Sequence, residues 1–223
     1  MCKNSINGAG VWQDRAVNAF LSAQLAEIEK AANRLDPNEV ATYRYLRALL
    51  QRDDADARQI FEKMFIAYYG LNSGGITDKF REAYFDRLYE LRGKPIDDAC
   101  YDRLLWELYE IPRHEGKKGR KSLQFSFVSK LVSILDESRP LFDTNVRRFF
   151  GLDVPQSDSP DLRIAGFVSN LVLLKTNYEA WLKDARFERI LGNACDRIPE
   201  LRNCHPIRAC DFFVWQARRL YQE

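Results

Sequence analysis

Apolar residues recur at steps of three and four along almost the whole chain, and no segment alternates between apolar and polar residues for long enough to predict a strand. In the segment 11–35, for example, Val17, Leu21, Leu25 and Ile28 follow these steps. A sequence with this period cannot place its apolar residues on one face of a sheet. We therefore expect an all-α fold of about ten helices.

Proline, glycine and capping residues divide this pattern into separate helices. We expect helices over residues 11–35, 37–52, 54–69, 77–91, 95–111, 122–137, 143–150, 161–181, 184–191 and 207–221. No repeat or low-complexity linker separates them, which predicts a single all-α domain over residues 1–223. An open alternative is a pair of helical lobes, 1–112 and 113–223, around one cleft.

Composition excludes several classes of protein. The chain has 223 residues, of which 46% are hydrophobic and 30% charged, as is typical of a soluble globular protein. The net charge of +2 argues against a whole-chain binder of polyanions. No apolar stretch is long enough for a membrane span, and no apolar segment follows the N-terminus as in a secretory signal. We expect a monomer in the cytosol.

Cysteine and histidine usage argues against metal chemistry. Five cysteines are an odd number in a chain that is too long to need disulfides, so we expect mostly reduced thiols. The spacing of Cys195, Cys204 and Cys210, even with His205, fits neither a zinc ribbon nor a ferredoxin cluster. With two histidines in all, a histidine-dependent catalytic triad is nearly ruled out. We expect no metal and no cofactor.

Positive charge is concentrated in one sixth of the chain. Residues 113–149 hold nine basic and four acidic residues, a net charge of +5, whereas the rest of the chain carries a net charge of −3. Gly116 and Gly119 lie within this basic run, and their backbone N–H groups can approach a phosphate closely. The pattern predicts contact with a nucleic-acid backbone, with a solvated loop as the alternative. The residues that we expect to contact phosphates are Arg113, Lys117, Lys118, Arg120, Lys121, Arg147 and Arg148.

The segment 122–137 places a lysine inside an otherwise apolar helix. Apolar side chains surround almost its whole circumference, which predicts a helix central to the core. A stripe of small residues runs along it, where another backbone or a ligand can come close; it consists of Ser122, Ser126, Ser129 and Ser133. Lys130 lies beside this stripe and is the only charged residue between Ser122 and Asp136.

Partial burial would give the amine of Lys130 a chemical use. Desolvation disfavours an ammonium ion, so we expect a depressed pKa for a lysine among apolar side chains. A neutral amine near pH 7 is a nucleophile, and Schiff-base enzymes require one. The alternative is a lysine whose stem packs in the helix while its head reaches solvent. Position alone favours neither.

Asp143 is the natural partner of Lys130. It begins the predicted helix 143–150, where an aspartate is a common N-cap. Because it follows the apolar run 140–142, its carboxylate can instead face the same cleft as Lys130. Arg147 and Arg148, one turn further on, are then placed for phosphates.

These two segments resemble the helix-hairpin-helix/Gly-Pro-Asp superfamily of DNA glycosylases, and are most similar to its 8-oxoguanine DNA glycosylase-like branch. Residues 125–131 (Phe-Ser-Phe-Val-Ser-Lys-Leu) are similar to the helix of the Schiff-base lysine. Residues 142–148 (Phe-Asp-Thr-Asn-Val-Arg-Arg) are similar to the segment of the catalytic aspartate. The resemblance covers roughly residues 60 to 220, and its specific part is 122–150.

The resemblance implies a compact multi-helix glycosylase-like fold that binds DNA, removes a damaged base such as 8-oxoguanine and then cleaves the strand. Lys130 and Asp143 would be catalytic, and Trp215 and Phe212, or Tyr69, would line the base pocket. The alternative is a non-catalytic α-helical module that binds nucleic acid or protein, for example in anti-phage defence. In that case Lys130 reaches solvent, Asp143 only caps its helix, and the basic run supplies the function.

Overall fold

The computed structural model describes residues 8–71, 76–112 and 121–219, with side chains from residue 21 to residue 218 within these ranges. This part of the chain forms ten α-helices and one 3-10 helix and contains no strand. The expected all-α fold of about ten helices is confirmed. The helices are α1 (Gly8–Arg34), α2 (Pro37–Leu50), α3 (Ala55–Tyr68), α4 (Asp78–Leu91), α5 (Ala99–Tyr109), α6 (Phe125–Leu135), α7 (Thr144–Phe150), α8 (Pro160–Leu182), α9 (Ala185–Arg197) and α10 (Pro206–Arg219), with the 3-10 helix at Pro199–Asn203.

Short polar side chains fix where most of these helices begin. An oxygen of each capping residue accepts a hydrogen bond from a backbone N–H of the first turn, which has no partner within the helix. In α3, for example, Oδ1 of Asp54 accepts the N–H of Ala57 at 2.8 Å. The capping residues of this kind are Asp36, Asp54, Thr77, Asp143, Ser159 and Asp184.

One continuous hydrophobic core holds the helices together, and its buried residues extend from Leu25 to Trp215. Helix α1 packs against α9 and α10, so the two ends of the described chain share this core. None of the described helices combines the length and apolar character that a membrane crossing requires.

Helix α6 lies at the centre of this core, as its sequence predicts: nine of its eleven residues are buried. Side chains from three other helices bind its backbone carbonyls. Tyr84 on α4 donates its hydroxyl to the carbonyl of Phe127 at 2.9 Å, and Arg47 on α2 donates to that of Ile134 at 2.5 Å. Arg208 on α10 donates to the carbonyl of Ser133 at 3.3 Å. The helix that carries Lys130 is therefore fixed from several sides.

Candidate functional site

Lys130 is buried in the middle of α6, with 8% of its surface exposed. Its Nζ donates a hydrogen bond to the backbone carbonyl of Tyr69 at 3.1 Å and lies 5.8 Å from the centre of the Tyr69 ring. Tyr69 is the C-cap of α3, where carbonyl groups without a helical partner attract a cation. The amine of Lys130 is thus held inside the protein by another helix instead of reaching solvent.

Asp143 is also buried, with 8% exposure, and occupies the N-cap of α7. Its Oδ1 accepts the backbone N–H of Val146 at 2.9 Å, so the capping interaction considered from the sequence is present. The charge of Asp143 is felt beyond its own helix, because it contributes to raising the pKa of both Tyr69 and Asp211. Asp143 therefore lies within electrostatic range of the tyrosine that holds the Lys130 amine.

Ser129 joins the segment of Asp143 to the helix of Lys130. Its side chain is fully buried, and its Oγ accepts the backbone N–H of Phe142 at 3.0 Å. The expected close approach of another backbone to the serine stripe of α6 is confirmed at this position. The hydrogen bond connects the residue before Lys130 to the residue before Asp143 and thereby places the two elements side by side.

Tyr69 connects Lys130 to an aromatic cluster. Its ring is edge-on to Trp215 of α10 at 5.7 Å between centroids and to Tyr68 at 4.9 Å. Burial raises the pKa of Tyr69 to about 12, so its hydroxyl stays neutral at physiological pH. Tyr69 thus links the amine of Lys130 to the packed aromatic residues Tyr68 and Trp215.

Trp215 and Phe212, the two aromatic residues expected to line a base pocket, are both buried on α10. Together with Tyr43, Tyr69 and Arg208 they line a packed region in which no space is left for a water molecule. The indole N–H of Trp215 has no acceptor among the described residues. In this conformation both side chains belong to the packed interior, and a role in holding a base stays a prediction.

A buried ion pair lies on α10 and is not among the residues predicted from the sequence. Arg208 and Asp211 each have 1% exposure, and Nη1 of the arginine lies 2.8 Å from Oδ2 of the aspartate. Burial raises the pKa of Asp211 to about 6, against the lowering effect of the guanidinium. Two charges three residues apart within the apolar run 207–214 were a signal that could have identified this pair.

The basic residues divide into those the structure describes and those it does not. Residues 113–120, with Arg113, Lys117, Lys118 and Arg120, lie outside the described ranges. Lys121 is exposed, forms an ion pair with Glu110 and has its Nζ 5.7 Å from the centre of the Tyr109 ring.

Arg147 borders an open groove between the starts of α6 and α7. The guanidinium lies 5.9 Å from the centre of the Phe142 ring, and the groove of about 190 Å³ is also lined by Ser126 and Thr144. Arg148 on the same helix is exposed. Both arginines thus lie on α7, the short helix that Asp143 caps.

The cysteines offer no metal centre in the described part of the chain, where no group of three or more histidine, cysteine, aspartate or glutamate residues is arranged to hold an ion. Cys100, Cys195, Cys204 and Cys210 are all free thiols. Burial raises the pKa of Cys204 to about 11 and that of Cys210 well above its usual value, which keeps both thiols protonated.

Comparison with known proteins assigns no relative: no protein-family model, curated protein or solved structure matches the chain.

Proposed function

We propose that the protein is a DNA glycosylase with associated AP-lyase activity, which removes a damaged base such as 8-oxoguanine through a Schiff base on Lys130. The observation that carries the proposal is the buried amine of Lys130 on the central helix, with the segment of Asp143 hydrogen-bonded to that helix one residue away. Desolvation in a protein interior disfavours an ammonium ion and is one way in which a lysine becomes a nucleophile, while a carboxylate in the same site can assist the proton transfers.

In the proposed reaction, the hydrogen bond from Lys130 to the Tyr69 carbonyl breaks, the ammonium group gives up a proton, and the amine attacks C1′ of the sugar. A bond forms between Nζ and C1′ while the bond from C1′ to the base breaks, and the base leaves with its electron pair and takes up a proton. Asp143 stabilises the positive charge that develops on the sugar and assists the proton transfers. Opening of the sugar ring then gives the Schiff base.

Strand cleavage follows from the same intermediate. The Schiff base acidifies C2′, so loss of a proton from that carbon expels the 3′ phosphate oxygen by β-elimination. Water then hydrolyses the Schiff base and releases Lys130. No redox step is needed, and each group that bonds to the sugar is supplied by the protein or by water.

DNA is the proposed partner because basic residues lie next to the lysine and aspartate elements in the sequence. A glycosylase has to extrude its target nucleotide, and phosphate contacts hold the distorted strand while it does so. Arg147 and Arg148 lie on α7, which Asp143 caps, and Lys121 precedes α6. The indole N–H of Trp215 lacks an acceptor among the described residues, and in this proposal it would donate to the extruded base.

A monomer in the cytosol is part of the same proposal. All four cysteines that the structure describes are free, and free thiols persist in a reducing compartment.

A second candidate is a non-catalytic α-helical module that binds nucleic acid or protein. The observations in its favour are the two hydrogen bonds already described, because Lys130 caps the end of α3 and Asp143 caps the start of α7. Lys130 and Asp143 then each have a structural role that does not require catalysis. Binding without strand cleavage would identify this candidate.

Strand incision separates the two candidates. We expect the wild type to incise duplexes that carry 8-oxoguanine or an abasic site, and Lys130→Gln to lower the single-turnover rate at least about 100-fold, as expected when a nucleophile is removed. The matched control is Lys175→Gln, since Lys175 is a half-exposed lysine of α8 that pairs only with Glu179 among the described residues. Tight, salt-sensitive binding without incision by any of the three proteins would favour the binding module.

A further inference from the structure

We infer that Arg208 and Asp211 are positioning residues for the proposed reaction, which together hold Lys130 and Asp143 at a fixed separation. The inference rests on the proposed function and adds to it a buried pair of residues on α10.

The pair is not explained by stability alone. Both side chains are at 1% exposure, so each charge has lost almost all of its hydration. Removing two charges from water costs about as much as their attraction returns, and apolar residues in their place often stabilise a protein equally well. A buried ion pair in an apolar helix therefore calls for a second role, and its other hydrogen bonds indicate which.

Those hydrogen bonds converge on the connection between α6 and α7. Arg208 donates through Nη2 to the carbonyls of Ser133 and Arg139, each at 3.3 Å. Asp211 accepts the backbone N–H of Leu141 at 3.3 Å. Ser133 is one turn after Lys130 on α6, and Leu141 is two residues before Asp143. One ion pair thus binds both α6, which carries Lys130, and the connection that leads to Asp143.

Tyr178 connects this hydrogen-bond network to α8 as well. Its hydroxyl, on α8, donates to Oδ1 of Asp211 at 2.8 Å, and its side chain is fully buried. The carboxylate is thereby fixed from α8 as well as from Arg208. Rigid support of this kind matters in a reaction between two side chains, because a displacement of about 1 Å can lower a rate about 100-fold.

The test measures chemistry and binding separately. The rate of Schiff-base formation is followed by borohydride trapping on a duplex with one abasic site, and the Kd is measured on a duplex with a tetrahydrofuran analogue. We expect Arg208→Met to lower the trapping rate at least about ten-fold and Tyr178→Phe at least about three-fold, while Kd stays within about three-fold, because misplacement affects the chemical step.

A matched control shows whether lost stability is the cause. Ile190→Ala removes a side chain of 4% exposure on α9, which packs against α1 and α8. We expect it to lower the melting temperature but to leave the trapping rate within about two-fold at a temperature where all variants are folded, because a cavity in α9 does not move the reacting groups. If Arg208→Met does not fold, the trapping rate of Tyr178→Phe relative to the wild type decides the test.

Three results overturn the inference. If Arg208→Met and Tyr178→Phe both formed the trapped adduct at the wild-type rate, the pair would have a structural role only. The same would follow if the trapping rate fell in Ile190→Ala as much as in Arg208→Met. No adduct from the wild type would remove the proposed function and the inference together, and so is distinguishable from the first two.

Discussion

Asp143 has two roles that a single substitution can separate. Its Oδ1 caps α7 by accepting the N–H of Val146, and its charge is proposed to assist the reaction. Asparagine caps a helix about as well as aspartate does but carries no charge. We therefore expect Asp143→Asn to keep the free energy of unfolding within about 0.5 kcal/mol of the wild type and to lower the incision rate about 100-fold.

Asp184 supplies the control for this measurement, because it caps α9 in the same way and lies on another element. Asp184→Asn should change neither urea denaturation nor single-turnover incision. Incision by Asp143→Asn at the wild-type rate would leave Asp143 as a helix cap alone.

Local chemistry made part of the site predictable at the residue scale. An aspartate before a short helix and a lysine in an apolar helix are visible in the sequence. Whether the lysine is buried or reaches solvent was open at that point, and the structure buries both residues. The acceptor of the Lys130 hydrogen bond was not predictable, because Tyr69 is 61 residues away along the chain. The hydrogen bonds from Arg208 to Ser133 and from Leu141 to Asp211 depend in the same way on how distant helices pack.

Among the helices, α8 packs closely on the loop that precedes it. A Cβ atom at Gly166 would lie 2.9 Å from Cβ of Pro155, closer than side chains tolerate, whereas nothing lies within 4 Å of the same position at Gly192 in α9. Alanine usually stabilises a helix interior relative to glycine by about 1 kcal/mol. We expect Gly192→Ala to raise the free energy of unfolding by about that amount and Gly166→Ala to lower it.

Urea denaturation of the two variants provides the comparison, since each is the control for the other. A gain in stability for both would show that the Pro155 loop moves away from α8 without cost, and would contradict the packing described.

Helix starts were more predictable than helix ends. The sequence indicated a start at or next to the observed one for α2, α3, α4, α7, α8 and α9, because their capping residues are local signals. The predicted end of α9 at Leu191 was wrong, because Gly192 and Asn193 are typical of a C-terminus whereas the helix continues to Arg197. Tertiary contacts extend it: Ala194 is buried, and Arg197 donates to the carbonyls of Ala32 and Leu35 at the end of α1.

For the whole molecule, the charge distribution predicts how DNA binding responds to salt. Each phosphate contact releases a counterion, so each lost contact lowers the slope of log Kd against log salt concentration by about 0.9. We expect Lys117→Gln/Lys118→Gln, in the basic run, to lower this slope by about 2 on a duplex with a tetrahydrofuran site.

Lys30→Gln/Lys183→Gln is the matched double variant, because it removes the same charge from exposed positions on α1 and at the end of α8. It should leave the slope unchanged. Equal slopes for the two double variants would show that the basic run makes no phosphate contact.

The fold class was predictable for the whole molecule, whereas the arrangement of the helices was not. Helical spacing along the chain predicts an all-α protein, since no strand can form from it. The packing of α1 against α9 and α10 joins residues more than 150 positions apart, as in the hydrogen bond from Arg197 to Leu35. Contacts between residues this far apart leave no periodic pattern in the sequence, so they can be seen only in the folded structure.

The most direct test is to identify the lysine that bonds to DNA. The wild type would be trapped with borohydride on a duplex that carries 8-oxoguanine, digested with a protease and analysed by mass spectrometry. Exposed lysines also react slowly with abasic DNA, so the position of the adduct is more informative than its presence. We predict an adduct on Lys130, its loss in Lys130→Gln and its retention in Lys175→Gln. An adduct on Lys117, Lys118 or Lys121 instead, or none at all, would contradict a Schiff-base role for the buried lysine of α6.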